Sequence, residues 1–168
     1  LFNIEEISTS VQNFGAYSLC NLINFVEEGI PFLMTKNIRE NYIDWDIEKY
    51  VDQESHKMLW KSHCHKGQVL ITMAGEYLGR VAVYDKEEDV SSNQAIAKVT
   101  LQEGQNSYLV STFMNTKYGQ NQIQRFKTIT GQPNINMALI KSLKIPFFDK
   151  NFTLQIEKIL YQSDENKK

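Results

Sequence analysis

The sequence predicts an α+β domain, a β-rich body with packed helices that ends in a C-terminal helix. Three observations lead there. Two β-rich runs, Val69–Met73 and Arg80–Tyr84, flank a short connection bounded by Gly75 and Gly79, the pattern of paired strands. Beyond Glu103-Gly104 the apolar period changes, and Leu109, Val110, Phe113 and Met114 recur at helical spacing. The 168 residues, 42% hydrophobic and 23% charged, suit one domain with a real core, or a compact body with a short appendage.

The elements follow in order. Phe2–Ile7 alternates and reads as a strand, and Ala16–Val26 as a helix or a buried irregular segment. Ile30–Thr35, with Pro31 near its start, suits an edge or first-residue strand position. Asp52 is placed to cap a helix running to Trp60. Asp85–Asp89 reads as a charged turn and Ala95–Leu101 as a third strand. The stripe of the next helix continues through Ile123 and Phe126, past a break near Gly119. Thr130–Asn134 is a turn cluster, Asn134 or Asn136 caps a helix over Met137–Leu143, and Lys144–Phe148 is extended. A last helix begins at Phe152 and runs into a polar tail.

Charge is uneven along the chain. The net charge is −2, yet residues 105–148 contain no acid and carry Lys117, Arg125, Lys127, Lys141 and Lys144. Residues 56–84 hold Lys57, Lys61, Lys66, Arg80 and all three histidines against Glu76. Basic segments in a near-neutral protein can present one positive face to phosphates, or be scattered solvated lysines. No run approaches the roughly 18 apolar residues of a membrane span. Two cysteines, Cys20 and Cys64, do not make a disulfide framework, and a reducing cytoplasm is the expected location. The chain starts at Leu1, as a piece of a longer protein would.

Motifs of catalysis are missing. The sequence contains no GxGxxG, no P-loop lysine motif, no GxSxG elbow and no Asn/Asp-Pro-Pro-aromatic segment of an amino-methyltransferase. The acids of Asp85–Asp89 read as a solvated turn rather than a nuclease metal cluster. His56, His63, Cys64 and His65 invite a zinc reading, but on a strand His63 and His65 share a face while Cys64 points away. No catalytic or metal-binding residue is assigned.

Residues suited to reading DNA occur in loop-like places. Thr35–Asn41 offers Lys36, Asn37 and Arg39; Asn115–Arg125 offers Lys117, Tyr118, Gln120 and Arg125 among further amides, and Lys127 follows. Amides pair with adenine, arginine with guanine, lysine or tyrosine with phosphates. Arg80, just after Gly79, is a further candidate and equally a brace for the hairpin.

The segment Lys66–Tyr84, KGQVLITMAGEYLGRVAVY, resembles the Gly-Asp-hydrophobic, small-Gly, Gly-Arg-Val-Ala segment of type I restriction-modification specificity subunits. GIPFLMTKNIREN (29–41), VDQESHKML (51–59), SSNQAIAKV (91–99), FMNTKYGQNQI (113–123), GQPNINMALIKSLKIPFF (131–148) and FTLQIEKIL (152–160) are similar to further pieces of that family in its own order. Gln68 stands where the family usually has Asp, and FFDKNF (147–152) replaces a proline-rich stretch.

The resemblance implies a non-catalytic target-recognition domain over 1–150 that inserts loops into a groove of double-stranded DNA. The start of a spacer or coiled-coil helix follows over 151–168. A complete subunit holds two such domains. Its partners are a methyltransferase (modification) subunit using S-adenosylmethionine and a restriction subunit, with a second recognition domain or a homodimer partner meeting the terminal helix. Recognition loops differ with each target, so the candidate residues rest on local chemistry alone. The alternatives are the specificity segment of a fused N6-adenine methyltransferase, a metal-dependent hydrolase and a protein-binding scaffold.

Overall fold

The computed structural model describes residues 1–15, 17–126, 134–146 and 148–165. Lys127 and most of the 130–134 turn cluster lie outside them. In chain order the elements are β1 (Phe2–Asn3), β2 (Ser8–Gln12), β3 (Phe25–Val26), β4 (Ile30–Leu33), β5 (Tyr50–Val51), α1 (Gln53–Met58), β6 (Val69–Thr72), β7 (Val81–Val83), β8 (Ser91–Ser92) and β9 (Ile96–Leu101). There follow α2 (Ser107–Asn115), α3 (Lys117–Gln124), α4 (Met137–Ser142), β10 (Lys144–Ile145) and α5 (Lys150–Glu165). The class is mixed α+β, with helices also between strands: α1 lies among the first strands and β10 follows α4.

The central sheet has the order β2-β9-β6-β7 and is antiparallel throughout. The predicted hairpin is its β6–β7 pair, with Val69 opposite Val83 and Ile71 opposite Val81. All four residues of β6 are buried, because both faces of the sheet are covered. Val69, Ile71, Val81, Ala97 and Val99 join one core with Val110, Met114 and Ile123 from α2 and α3. The alternate residues Leu70, Ala82 and Ile96 join a second core with Leu33, Ile38, Cys64 and Tyr84. A sheet covered on both faces explains why Val69–Met73 reads as a continuous apolar run.

A smaller sheet, β3-β5-β4-β8, has β4 parallel to β8 and covers a third apolar cluster of Phe14, Ile30, Phe32, Val51 and Leu59. A two-stranded pairing of β1 with β10 ties the start of the chain to Lys144-Ile145.

Capping behaves as the sequence suggests. The Asp52 carboxylate accepts from Ser55 N at 2.8 Å and opens α1, and Asn136 accepts from Leu139 N at 2.9 Å and opens α4. Three expectations need correction. Only Phe2-Asn3 of the first alternating segment is strand, and Glu5–Ile7 closes into a 3-10 turn that buries Ile7. Between Tyr17 and Val26 the chain is a 3-10 turn followed by β3. The helix break falls at Thr116, while Gly119 lies within α3.

Gln68 is buried and both ends of its amide are used. Oε1 accepts from His65 N at 2.9 Å, and Nε2 donates to Thr100 Oγ1 at 3.0 Å. The amide so closes the turn before β6 and also anchors it to β9.

Candidate nucleic-acid interface

α2 and α3 meet at a corner one residue long. Thr116 closes α2 and its hydroxyl accepts from Gly119 N at 3.4 Å to start α3. Gly119 and Ile123 of α3 are buried against the body. That fixes the phase of the helix and turns Lys117, Tyr118, Asn121 and Gln124 to solvent, with Arg125 at the C-cap exposed beside them. Their spacing places them within about a third of the helix circumference. Tyr118 is 74% exposed. The strip contains no acid, and Lys117 sits in the first helical turn, where the macrodipole disfavours a cation and favours an anion.

Two other segments pack beside this corner. Asn115 Nδ2 donates to Val81 O at 2.7 Å and to Asn41 Oδ1 at 2.8 Å, and its Oδ1 accepts from Val81 N at 3.2 Å. Asn41, in the left-handed region at φ 68°, also donates its backbone N to Val81 O at 2.8 Å. The 35–42 loop, the connection before β7 and the α2–α3 corner are thereby joined.

Two candidates turn inward. Asn37 is 2% exposed; its Oδ1 accepts from Met34 N at 2.9 Å and its Nδ2 donates to Asp44 O and Asp46 O at 3.1 Å. Gln120 Nε2 donates to Gly79 O and Met114 O, both at 2.8 Å. Both amides shape the loops instead of facing outward.

The remaining basic candidates have defined neighbours. Lys36 pairs with Glu48. Arg39 pairs with Asp44 at 3.2 Å and also lies over the Tyr77 ring at 5.7 Å. Hydrogen bonding from Asp46 N and the Arg39 guanidinium hold the Asp44 carboxyl below its usual value. Arg80 lies over the same Tyr77 ring at 4.6 Å. Sequence reasoning missed Tyr77, Asn41 and Asn115 as positioning residues. The amide-rich text of 35–41 and 115–125 marked the right loops but not which amide points inward.

The histidines form no ligand set, and no group of three or more His, Cys, Asp or Glu suited to a metal occurs among the described residues. His56 and His63 stack face to face with centroids 3.7 Å apart. His63 Nε2 lies 2.6 Å from His56 O and must donate there, while His56 Nδ1 bonds Ser91 Oγ at 2.8 Å. Burial pushes the Cys64 thiol up to about 11, away from nucleophile or thiolate-ligand chemistry.

Burial first, and the His63 ring second, pull His56 below its ordinary value of 6.5, against the weaker pull of Asp89. The unfolded chain therefore takes up this proton first as pH falls below 6.5, and stability is lost there. The urea midpoint is expected to fall between about pH 7 and pH 5, and His56→Gln to flatten that fall. An equally steep fall in the variant would refute this account.

No family model and no curated protein matches this chain. Solved structures do. A chain from a type I R-M system, studied for complex assembly and conformational transition, aligns over 98% of this chain and 38% of its own, at TM-score 0.63 and 14% identity. The type I restriction-modification S subunit from M. genitalium aligns over 97% and 38%, at TM-score 0.61 and 18% identity.

This chain has the type I S-subunit fold.

The HsdS subunit from Thermoanaerobacter tengcongensis agrees, with 98% of this chain and 37% of that one aligned at TM-score 0.60 and 13% identity. The chain spans under two-fifths of the length of these matched chains. At such identities what is shared is the S-subunit fold, so function must rest on this chain's own residues. Among the described residues no helix is long and apolar enough to cross a membrane.

Proposed function

We propose that this chain is a target-recognition domain of a type I restriction-modification specificity subunit. It binds double-stranded DNA, reads one part of a split target and directs an adenine methyltransferase there. The observation that carries this reading is the acid-free strip on α3, where Lys117, Tyr118, Asn121, Gln124 and Arg125 lie exposed beside the Arg80 loop. Amides and arginine on an exposed helix face suit base edges, and lysine and tyrosine suit phosphates. The S-subunit fold supports the same reading.

The domain is non-catalytic; S-adenosylmethionine belongs to the partner modification subunit, and a restriction subunit completes the complex in the cytoplasm. The domain boundary near 150/151 falls in the first turn of α5, which begins the spacer. Phe152 and Ile159 of α5 are exposed and seven residues apart, a spacing suited to packing against a helix of a second recognition domain or second copy. Lys127 lies outside the described residues and enters the proposal on its chemistry alone.

The test is selection from a randomised duplex pool with the modification subunit bound. A short enriched element is expected. Asn121→Ala or Gln124→Ala should then weaken the selected site about 5- to 100-fold while sparing unrelated duplex. Lys117→Ala should weaken all duplexes alike. No enrichment by an assembled complex would overturn the reading.

A further inference from the structure

Half-buried Arg80 has surroundings unlike those of the exposed cations. It follows a loop whose ends are set by Gly75 at φ 80° and Gly79 at φ 87°, backbone that glycine adopts without strain. Fully buried Thr72 organises this loop: its Oγ1 accepts from Arg80 N at 2.9 Å and donates to Tyr77 O. The Arg80 guanidinium then lies over the Tyr77 ring at 4.6 Å, with the Arg39 guanidinium also within 5.7 Å of that ring centre. Arg39 has Asp44 as counter-charge. Arg80 has no carboxylate within salt-bridge distance among the described residues, and its Nη1 is buried without a hydrogen-bond partner.

A partly desolvated guanidinium without a counter-ion is a costly element of a fold. The same desolvation strengthens its attraction to an arriving anion, because the local dielectric is low and the side chain is already ordered. We propose that Arg80, held on Tyr77 with Arg39 beside it, is a seat for a phosphate oxyanion, with Tyr77 as its positioning residue. The source we assign is a phosphodiester of the duplex, so this deepens the proposed function and rests on it. A guanidinium lying over a ring does not project as a groove-reading side chain must; the strip on α3 does. Gln120 of α3 touches the seat through Gly79 O at 2.8 Å, so one bound duplex can meet both. Arg80 then fixes register without reading sequence, while α3 reads bases.

The test measures affinity against salt for target and unrelated duplexes, using the complex with the modification subunit, for wild type, Arg80→Ala, Arg80→Lys, Tyr77→Phe and Tyr77→Leu. Thermal melting checks that each variant is folded. Arg80→Ala should weaken both duplexes by the same factor, about 5- to 20-fold, and reduce the log–log salt slope by about 0.9. Tyr77→Phe should bind as wild type; Tyr77→Leu should lose affinity although no charge is removed; Arg80→Lys should recover the slope but not the full affinity.

An unchanged slope for Arg80→Ala, or a loss confined to the target duplex as a guanine contact would give, overturns the seat. If Asn121→Ala still erodes selectivity, the recognition reading survives that failure. A second arm follows the arginine side-chain Nε–Hε signals by NMR as inorganic phosphate is added. A shift of Arg80 at millimolar phosphate, abolished in Tyr77→Leu and accompanied by no duplex binding of the complex, supports the seat for free phosphate and overturns the recognition reading. Neither duplex binding nor a phosphate shift overturns both.

Discussion

Replacing Gly119 with alanine is expected to destabilise the fold by at least about 2 kcal/mol. A Cβ built on Gly119 would lie 2.4 Å from Met114 O, 2.5 Å from Met114 Cα and 2.7 Å from Met114 C. Those atoms are backbone at the α2–α3 corner, so no side chain can rotate away; α3 itself must shift. Alanine favours a helix over glycine by about 1 kcal/mol, which offsets only part of an overpacking cost of about 3 kcal/mol. Because Asn115 and Gln120 link this corner to Asn41, Val81 and Gly79, the shift would also move the exposed strip of α3. Urea unfolding should show a lower midpoint with the slope retained, and duplex selectivity should decline even well below the midpoint. A Gly119→Ala protein as stable as wild type would show that the corner relaxes freely.

Lys98→Met is expected to stabilise the protein by about 3 kcal/mol at neutral pH. Lys98 is fully buried on β9, directly opposite Leu70, with its Nζ donating to Ser92 Oγ at 3.3 Å. Burial pulls its ammonium from 10.5 down to about 8, against a smaller opposing pull from Cys64. At pH 7 the folded protein thus still holds a buried charge with one hydroxyl partner. Methionine fills similar space without that charge, and it leaves no orphan, since Ser92 Oγ also donates to Ser62 O at 3.0 Å. The sign follows from linkage. Between about 8 and 9 the unfolded chain binds more protons than the folded one through Lys98, so wild-type stability rises with pH across that window, while above about 9 the raised Cys64 thiol acts in the opposite sense and offsets the rise. The variant should be flat there. A wild type with no rise in urea midpoint across the window, or a destabilised Lys98→Met, would overturn the account.

Much of the architecture is written in local sequence. The glycine-bounded runs around Val69–Val83, the cap at Asp52 and the apolar stripe of Leu109, Val110, Phe113 and Met114 specify the hairpin, α1 and α2 with few alternatives. These depend on period and capping chemistry, which act over a few residues. The short strands β1, β3, β5, β8 and β10 were less legible. Each is two residues long and exists only through a partner distant in sequence, as Phe2 does opposite Ile145 and Ser91 opposite Phe32.

For the candidate interface, composition alone determined which loops hold the amides and cations. Tertiary structure decided which of those side chains face out. Gln120 and Gln124 are chemically identical and four residues apart, yet one is bonded to Gly79 and Met114 while the other is exposed. That difference is position along α3: Gln120 lies beside the α2–α3 corner, which the approach of Gly119 to Met114 brings against Gly79, and Gln124 lies one turn beyond it. In isolation a glycine signals a helix break, and so the sequence predicts one near Gly119. Only the packed corner shows why glycine is needed inside the helix: no other residue lets two backbones come so close.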